Sequence, residues 1–302
     1  MKIVAIGATG FVGRRLVETL GSDHEITVVS RNPDKTKSRI RNEVQFVRWD
    51  PGAEPFPDGV LDGADGVVNL AGDNVADGRW NAAKKKRMAD SRLDTTSKLA
   101  DAITAADPRP PVLINASAIG FYGSRGDEEL DENSAPGSGF LADLCVRWEG
   151  ATQKAADAGV RTVLLRVGIV LGQGGGALAK MLFPFRLGLG GALGNGRQWM
   201  SWIHIDDMVG LILHALENPS VEGPVNSTAP HPVTNRDFSK TLGKVLRRPA
   251  FLPAPGFALR LAVGEFAEVL LEGQKVLPRQ AETSGYQFRF RELEPALLDV
   301  LA

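Results

Sequence analysis

Cysteine occurs once in this 302-residue chain, at Cys145, tyrosine twice, at Tyr122 and Tyr286, and histidine four times. A single thiol cannot close a disulfide within the chain, and no Cys/His spacing suits zinc, so neither a disulfide framework nor a Cys/His zinc site is expected. A reducing, cytoplasmic setting is the expectation. Charge of one sign is lacking too: 35 basic residues meet 36 acidic ones, for a net charge of -1. Nothing resembles the positive footprint that a phosphate backbone requires, and nucleic acid is not expected as a partner. Long apolar runs are also missing. The most apolar late stretch, Val209 to Leu216, carries His214 and falls far short of the ~20 residues that span a bilayer. The N-terminal Met1-Lys2-Ile3-Val4-Ala5-Ile6-Gly7 reads as a strand rather than a secretory signal. A soluble protein with no membrane partner is expected.

What is present is a regular alternation. Short β-branched runs at Ile3 to Ile6, Ile26 to Val29, Val44 to Val47, Gly66 to Leu70, Val112 to Asn115 and Thr162 to Val167 are separated by longer segments. Helical periodicity falls at Phe11 to Leu20, Ala82 to Ala106 and Phe140 to Ala158, with Gly21 and Gly159 at C-terminal positions. The pattern predicts an α/β fold, a Rossmann-type doubly wound parallel sheet with helices on both faces. The alternation ends after Gly168, where Gly172 to Gly176 and later prolines change the composition. Residues 1–170 are therefore assigned to a nucleotide-binding domain and 171–302 to a smaller substrate-side region, with a strand near Pro224 to Asn226 returning to the main sheet.

The turn Gly7-Ala8-Thr9-Gly10-Phe11-Val12-Gly13 follows a predicted strand and opens a predicted helix. Glycine lets backbone close on a pyrophosphate, and free N–H groups at a helix start attract the anion. The spacing G-x-x-G-x-x-G differs from the G-x-G-x-x-G of many dehydrogenases. An NAD site usually places a carboxylate at the end of the second strand, about 20 residues on. This strand instead ends Val28-Val29-Ser30-Arg31. A guanidinium and a hydroxyl there suit a 2′-phosphate, so the expected cofactor is NADP(H).

With these motifs the chain resembles the extended short-chain dehydrogenase/reductase superfamily, and within it the epimerase subgroup of the YfcH and SulA-like type. The matching pieces include Asn69-Leu70-Ala71-Gly72, Arg79-Trp80, Ser91-Arg92, Ser117 to Gly123, Trp148-Glu149, Arg166 to Gly172, Gln198 to His204 and Gly264-Glu265. The resemblance implies an epimerase or oxidoreductase acting on a small hydroxyl or carbonyl compound, a nucleotide sugar among the candidates. It also implies that Leu70, Ala71 and Gly72 lie along the cofactor. The two long helices, Ala82 to Ala106 and Phe140 to Ala158, are the candidate homodimer contacts.

Members of this superfamily usually carry Tyr-x-x-x-Lys on one helix, the ammonium lowering the phenol's pKa so that it can exchange a proton with substrate. This chain has no such pair: the residues four positions after Tyr122 and Tyr286 are Gly126 and Phe290. Counting back from Glu149, the two positions fall on Leu141 and Cys145. The hydroxyl-holding position falls on Ser117, or on Ala118 if no gap is allowed. Ser117 and Tyr122 are the catalytic candidates, Tyr122 as a displaced proton donor or as a pocket wall. On the substrate side, where Arg166 is also expected, the Arg usual after G-x-G-x-Q is replaced by Met200, which leaves Arg197 and Arg186 as candidate anion partners and Trp199 and Trp202, with Phe183 and Phe185, as candidate aromatic walls or core residues. His204 reads either as a titrating group or as a structural residue of a strand, and Asp207 as the cap of the following helix. The remaining alternative is a non-catalytic NADP(H)-binding regulator.

Overall fold

The computed structural model describes residues 1–38, 40 and 43–302. Seven strands form the main sheet: β1 (Lys2–Ile6), β2 (Glu25–Ser30), β3 (Gln45–Arg48), β4 (Gly66–Asn69), β5 (Val112–Ala118), β6 (Arg161–Val167) and β7 (Gly223–Ser227). Their spatial order is β7-β6-β5-β4-β1-β2-β3 and every pairing is parallel. Successive residues of a strand point to opposite faces, so a parallel sheet covered on both sides needs apolar residues at consecutive positions. Ile3 and Ala5 accordingly enter one core with Val68, Ile114 and Leu165, while Val4 and Ile6 enter the other with Val67 and Leu113. The winding direction reverses between β1 and β4, and a crevice opens beyond their C-terminal ends, where ligands of open α/β sheets collect.

Helix α1 (Phe11–Leu20) buries Gly13, Leu16, Val17 and Leu20, a single 3.6-residue stripe, and Gly21 ends it by donating its N–H to Val17 O. Leu16 and Val17 are wholly inaccessible, and each contributes about 1.5–3 kcal/mol of burial. Helix α2 (Ala82–Ala105) is capped by Asn81, whose side chain accepts from Lys84 N. Helix α3 (Phe140–Gly150) is shorter than the run to Ala158 that periodicity suggests. The Thr152 hydroxyl donates to Glu149 O at 2.7 Å, competing for a carbonyl of the last turn, and a separate short helix, Gln153–Asp157, follows.

Beyond residue 170 the chain serves two places. Strand β7 returns to the edge of the main sheet as the sequence suggests, and α4 (Ile205–Glu217) packs on α1, where Arg15 meets Asp206 at 2.7 Å. The rest gathers about a third core of Leu171, Leu178, Phe185, Met200, Trp202 and Phe238, the last from α5 (Asn235–Leu246). Small strand pairs join Trp202–His204 to Ile169–Leu171 and Val233–Thr234 to Trp199–Met200. Among the described residues no helix is long and apolar enough to cross a membrane.

Candidate functional site

The first glycine turn is closed as tightly as its sequence suggests. Gly7 has φ +79°, and a Cβ there would stand 2.6 Å from Leu70 C and 2.7 Å from Ala71 N. At Gly13 a Cβ would stand 2.5 Å from Gly7 O and 2.6 Å from Ala8 Cα. Any larger residue would push the turn out of its cradle. Gly10 donates to Gly7 O at 3.0 Å, and no side chain caps the start of α1. The N–H groups of that first turn are left for an anion. Thr9 is half-buried in the turn, and the Phe11 ring packs against Gly172, Gly175 and Gly176.

Across the crevice, Leu70 donates its N–H to Ile6 O at 2.9 Å, and Asn69 Oδ1 accepts from Ala71 N at 3.2 Å. The Asn69 amide is itself held by Asn115 Oδ1 at 2.7 Å and Thr96 Oγ1 at 3.1 Å. The Leu70-Ala71-Gly72 backbone is thereby fixed against the turn. At the end of β2 the Ser30 hydroxyl shares a 2.7 Å bond with Thr36 Oγ1. Arg31 is exposed and forms no ion pair among the described residues.

A buried polar network lies beyond β5. Ser117 Oγ donates to Glu149 Oε1 at 2.6 Å. Arg166 clasps Glu149 with two bonds of 2.9 Å, Nε to Oε1 and Nη2 to Oε2, its guanidinium 3.5 Å above the Phe121 ring. Arg166 Nη1 also donates to the Tyr122 hydroxyl at 2.9 Å, which in turn donates to Asn226 Oδ1 at 2.6 Å. Tyr122 has no exposed surface. Burial pushes its phenol up to about 12 against the opposing pull of Arg166. Burial and the Glu149 charge likewise push the Cys145 thiol up to about 11. Arg166, expected on the substrate side, is thus the centre of an internal network.

The other candidates separate. Trp202 is fully buried, its Nε1 donating to His231 O at 3.1 Å, so it packs a core rather than an open pocket wall. Trp199 is half-buried, bonded to Asp127 at 2.7 Å, with Lys275 over its ring at 4.8 Å. Arg197 lines a surface groove beside α5. His204, and not Asp207, caps α4: His204 Nδ1 accepts from Asp206 N at 3.1 Å. Asp207 is buried instead, accepting from Arg289 N, Phe290 N and the Tyr286 hydroxyl at 2.8, 2.9 and 3.1 Å. It ties the C-terminal segment to the helix. Burial lowers the His204 pKa.

One residue beside the crevice escaped motif reasoning. Arg92, on α2, packs its guanidinium against Gly72, 3.0 Å from where a Cβ would stand. It donates to Met88 O at 3.0 Å and Asp73 O at 3.2 Å, and lies 4.9 Å over the Trp148 ring. It forms no ion pair among the described residues, and burial lowers its pKa. The pair Ser91-Arg92 belongs to the resemblance, but only the fold carries it to Gly72.

The sequence profile of the NAD dependent epimerase/dehydratase family matches residues 3–227, and that of a domain of unknown function, DUF1731, matches residues 254–300. The chain is 44% identical over 304 residues to the chloroplastic epimerase family protein SDR39U1 homolog of Arabidopsis thaliana, covering 100% of this chain and 87% of that protein. The crystal structure of human epimerase family protein SDR39U1 (isoform 2) with NADPH superposes with a TM-score of 0.89 at 40% identity, covering 99% of both chains. A nucleoside-diphosphate sugar epimerase from Corynebacterium glutamicum superposes with a TM-score of 0.80 at 34% identity, over 100% of this chain and 58% of that one. A glycine cradle at the reversal point of a parallel sheet and likeness along the whole chain lead to one assignment: this protein belongs to the NAD dependent epimerase/dehydratase family.

Proposed function

We propose that the chain binds NADP(H) and acts as an oxidoreductase or epimerase on a small hydroxyl or carbonyl compound. The observation that carries the cofactor reading is the cradle at Gly7 and Gly13, which only a residue without Cβ leaves open, with an exposed Arg31 at the end of β2 that forms no ion pair among the described residues. The pyrophosphate would lie on the start of α1, and Ser30 and Arg31 would meet the 2′-phosphate. The NADPH held by the human relative, at 40% identity, supports the same choice. Bound there, the cofactor supplies hydride chemistry. Leu70, Ala71 and Gly72 would orient it, and Arg92 would offer a fixed positive charge where its ribose and nicotinamide enter.

Ser117 is the hydroxyl aimed at substrate. Its proton is committed to Glu149, so towards the crevice it offers lone pairs and accepts a bond from a substrate hydroxyl. Arg166 holds Glu149 in place behind it. Tyr122 is a positioning residue in this reading, since its phenol is buried between Arg166 and Asn226. The test is to mix purified protein and NADPH with sugar nucleotides, sugars, aldehydes and ketones, following loss of NADPH absorbance and inversion of recovered sugars. Turnover that falls in Ser117→Ala while NADPH binding persists supports the assignment.

A second reading is favoured by one observation: a phenol pushed up to about 12 and a thiol pushed up to about 11 are poor proton exchangers near neutrality. A non-catalytic NADP(H) binder, whose occupied state orders the substrate side, would show tight NADPH binding and no turnover across the whole panel.

A further inference from the structure

Acidic residues are missing from two segments of the C-terminal half. Residues 176–197 carry three Lys or Arg and no Asp or Glu, and residues 238–264 carry five and none. Acids elsewhere bring the whole chain to a net charge of -1, so the balance that argues against a membrane partner hides this local excess. The fold joins the two segments side by side. Leu252 N donates to Gly190 O at 3.2 Å, Ala254 N to Ala192 O at 2.9 Å and Gly194 N to Ala254 O at 2.9 Å. At the near end a Cβ on Gly188 would stand 3.4 Å from Pro249 Cγ. Arg186 and the pair Arg247-Arg248 therefore flank one end of this ladder. All three are exposed and form no ion pair among the described residues.

Large apolar side chains stand out along the same ladder. Phe183 and Leu187 lie one turn apart at the end of the helix Gly176–Arg186, with Leu189 exposed just beyond them and Phe251 and Leu252 exposed on the paired segment. After Pro255 the helix Gly256–Val263 buries none of its residues, and Phe257 and Leu261 share one of its faces. Its one charge, Arg260, is paired with Glu268 at 2.9 Å. Phe183, Phe251, Phe257 and Leu261 are 72, 73, 69 and 74% exposed. Single apolar residues at a surface are ordinary, but a run of them along two joined segments marks an interaction surface.

Charge selects the partner. A second copy of this chain would set the same cations against one another, which costs affinity. Protruding phenyl and leucyl side chains with guanidiniums at one end instead suit an anionic bilayer: the apolar groups enter the acyl boundary while the cations stay among the headgroup phosphates. We propose that this face docks peripherally on an anionic lipid surface, with Phe183, Phe251, Phe257 and Leu261 entering the headgroup layer and Arg186, Arg247 and Arg248 meeting its phosphates. None of these residues belongs to the cofactor turn or to the Ser117 network, and docking does not rest on the proposed reaction.

The test sediments the full chain with vesicles of phosphatidylcholine alone and of phosphatidylcholine mixed with phosphatidylglycerol. Binding about tenfold or more tighter to the anionic vesicles, and weakening as salt is raised, is expected. Phe251→Ser/Phe257→Ser should weaken it by about tenfold or more at every salt concentration, whereas Arg247→Ala/Arg248→Ala should remove most of the preference for anionic lipid. These positions are exposed, and thermal unfolding with an NADPH titration of each variant checks that the fold is intact. Absence of binding to the anionic vesicles overturns the proposal and leaves the face to a protein partner. Binding that ignores lipid charge, or that survives both double substitutions, overturns it too. Sedimentation equilibrium without lipid tests the remaining occupant: a dimer that dissociates in Phe251→Ser/Phe257→Ser would assign the face to a second copy and overturn the lipid assignment.

Discussion

Replacing Glu149 by Gln removes one charge from the most buried ion pair and almost nothing from its shape. Arg166 and Glu149 side chains are 5% and 10% exposed, and their two contacts are both 2.9 Å. The amide of Gln keeps one acceptor for Arg166 or Ser117, but its NH2 faces a donor where a carboxylate oxygen stood. Breaking a buried pair from one side typically costs about 3–5 kcal/mol, because the remaining charge is left uncompensated. One retained acceptor places the expectation near the lower end, about 3 kcal/mol. At roughly 2–4 °C per kcal/mol for a chain of this size, thermal unfolding should shift down by about 6–12 °C. Circular dichroism melts, with urea titrations at one temperature, measure this. The pairing predicts non-additivity as well: Glu149→Leu with Arg166→Met should destabilise less than the sum of the single changes, since neither partner is then left charged and buried. A Glu149→Gln shift below about 2 °C, or strict additivity in the double variant, would show that the pair does not hold this part of the fold.

Three further outcomes follow from the same geometry. Gly13→Ala forces its Cβ onto Gly7 O; it should cost about 1–3 kcal/mol of stability and weaken NADPH by about tenfold or more, read by quenching of intrinsic fluorescence. Arg31→Ala should weaken NADPH by about tenfold or more, the equivalent of 1.4 kcal/mol, with NADH affinity unchanged; parallel loss for both cofactors would remove Arg31 from phosphate selection. Burial holds the His204 imidazole below its ordinary pKa of 6.5, so the folded state favours the neutral ring. Its contribution is complete above 6.5 and is lost as pH falls through the lower folded value. His204→Asn keeps a side-chain acceptor for Asp206 N, and its urea midpoint should fall less than that of the parent between about pH 7 and pH 5.

The strands and the glycine turn were legible because each rests on local chemistry: consecutive β-branched residues for a sheet buried on both faces, and a glycine spacing that a tight strand-to-helix turn requires. The return of Pro224 to Asn226 to the sheet edge, expected from the sequence, is what the pairing with β6 shows. Helix α3 was overextended because its periodicity continues past Gly150, and the Thr152 hydroxyl that breaks it is a side-chain event no periodicity reports. The cap of α4 was misplaced by three residues for a related cause. Aspartate is the commoner cap, yet Asp207 is drawn inward by two backbone amides and a phenol from residues 286–290. Trp202 and Arg166 could not be sorted by type, since an aromatic or a guanidinium serves a pocket and a core equally well until the fold assigns it. Arg92 needed the third dimension outright, lying 20 residues from the Gly72 it touches.

The vacancy at Leu141 and Cys145 and the buried pair at Glu149 are two aspects of one helix face. Residues 141, 145 and 149 lie one turn apart on α3 and point the same way. Leu141 packs over Gly120, with its Cβ 3.2 Å from where a Cβ on that glycine would stand, Cys145 is buried with its thiol against Ser117, and Glu149 accepts from the Ser117 hydroxyl. The stripe therefore delivers a carboxylate to the serine and carries neither a phenol nor an ammonium at 141 and 145. A carboxylate clasped by both arms of Arg166 has its oxygens fixed, so it orients the hydroxyl. Charge near the cofactor must then come from another element, and Arg92 on α2 is the cation that stands beside Gly72, with no ion pair among the described residues. If that division of labour holds, Arg92→Met should weaken NADPH while leaving the Ser117 network and its thermal stability contribution in place, whereas Glu149→Gln should do the reverse. The same direction of change from both substitutions would mean that orientation and charge are not separately housed.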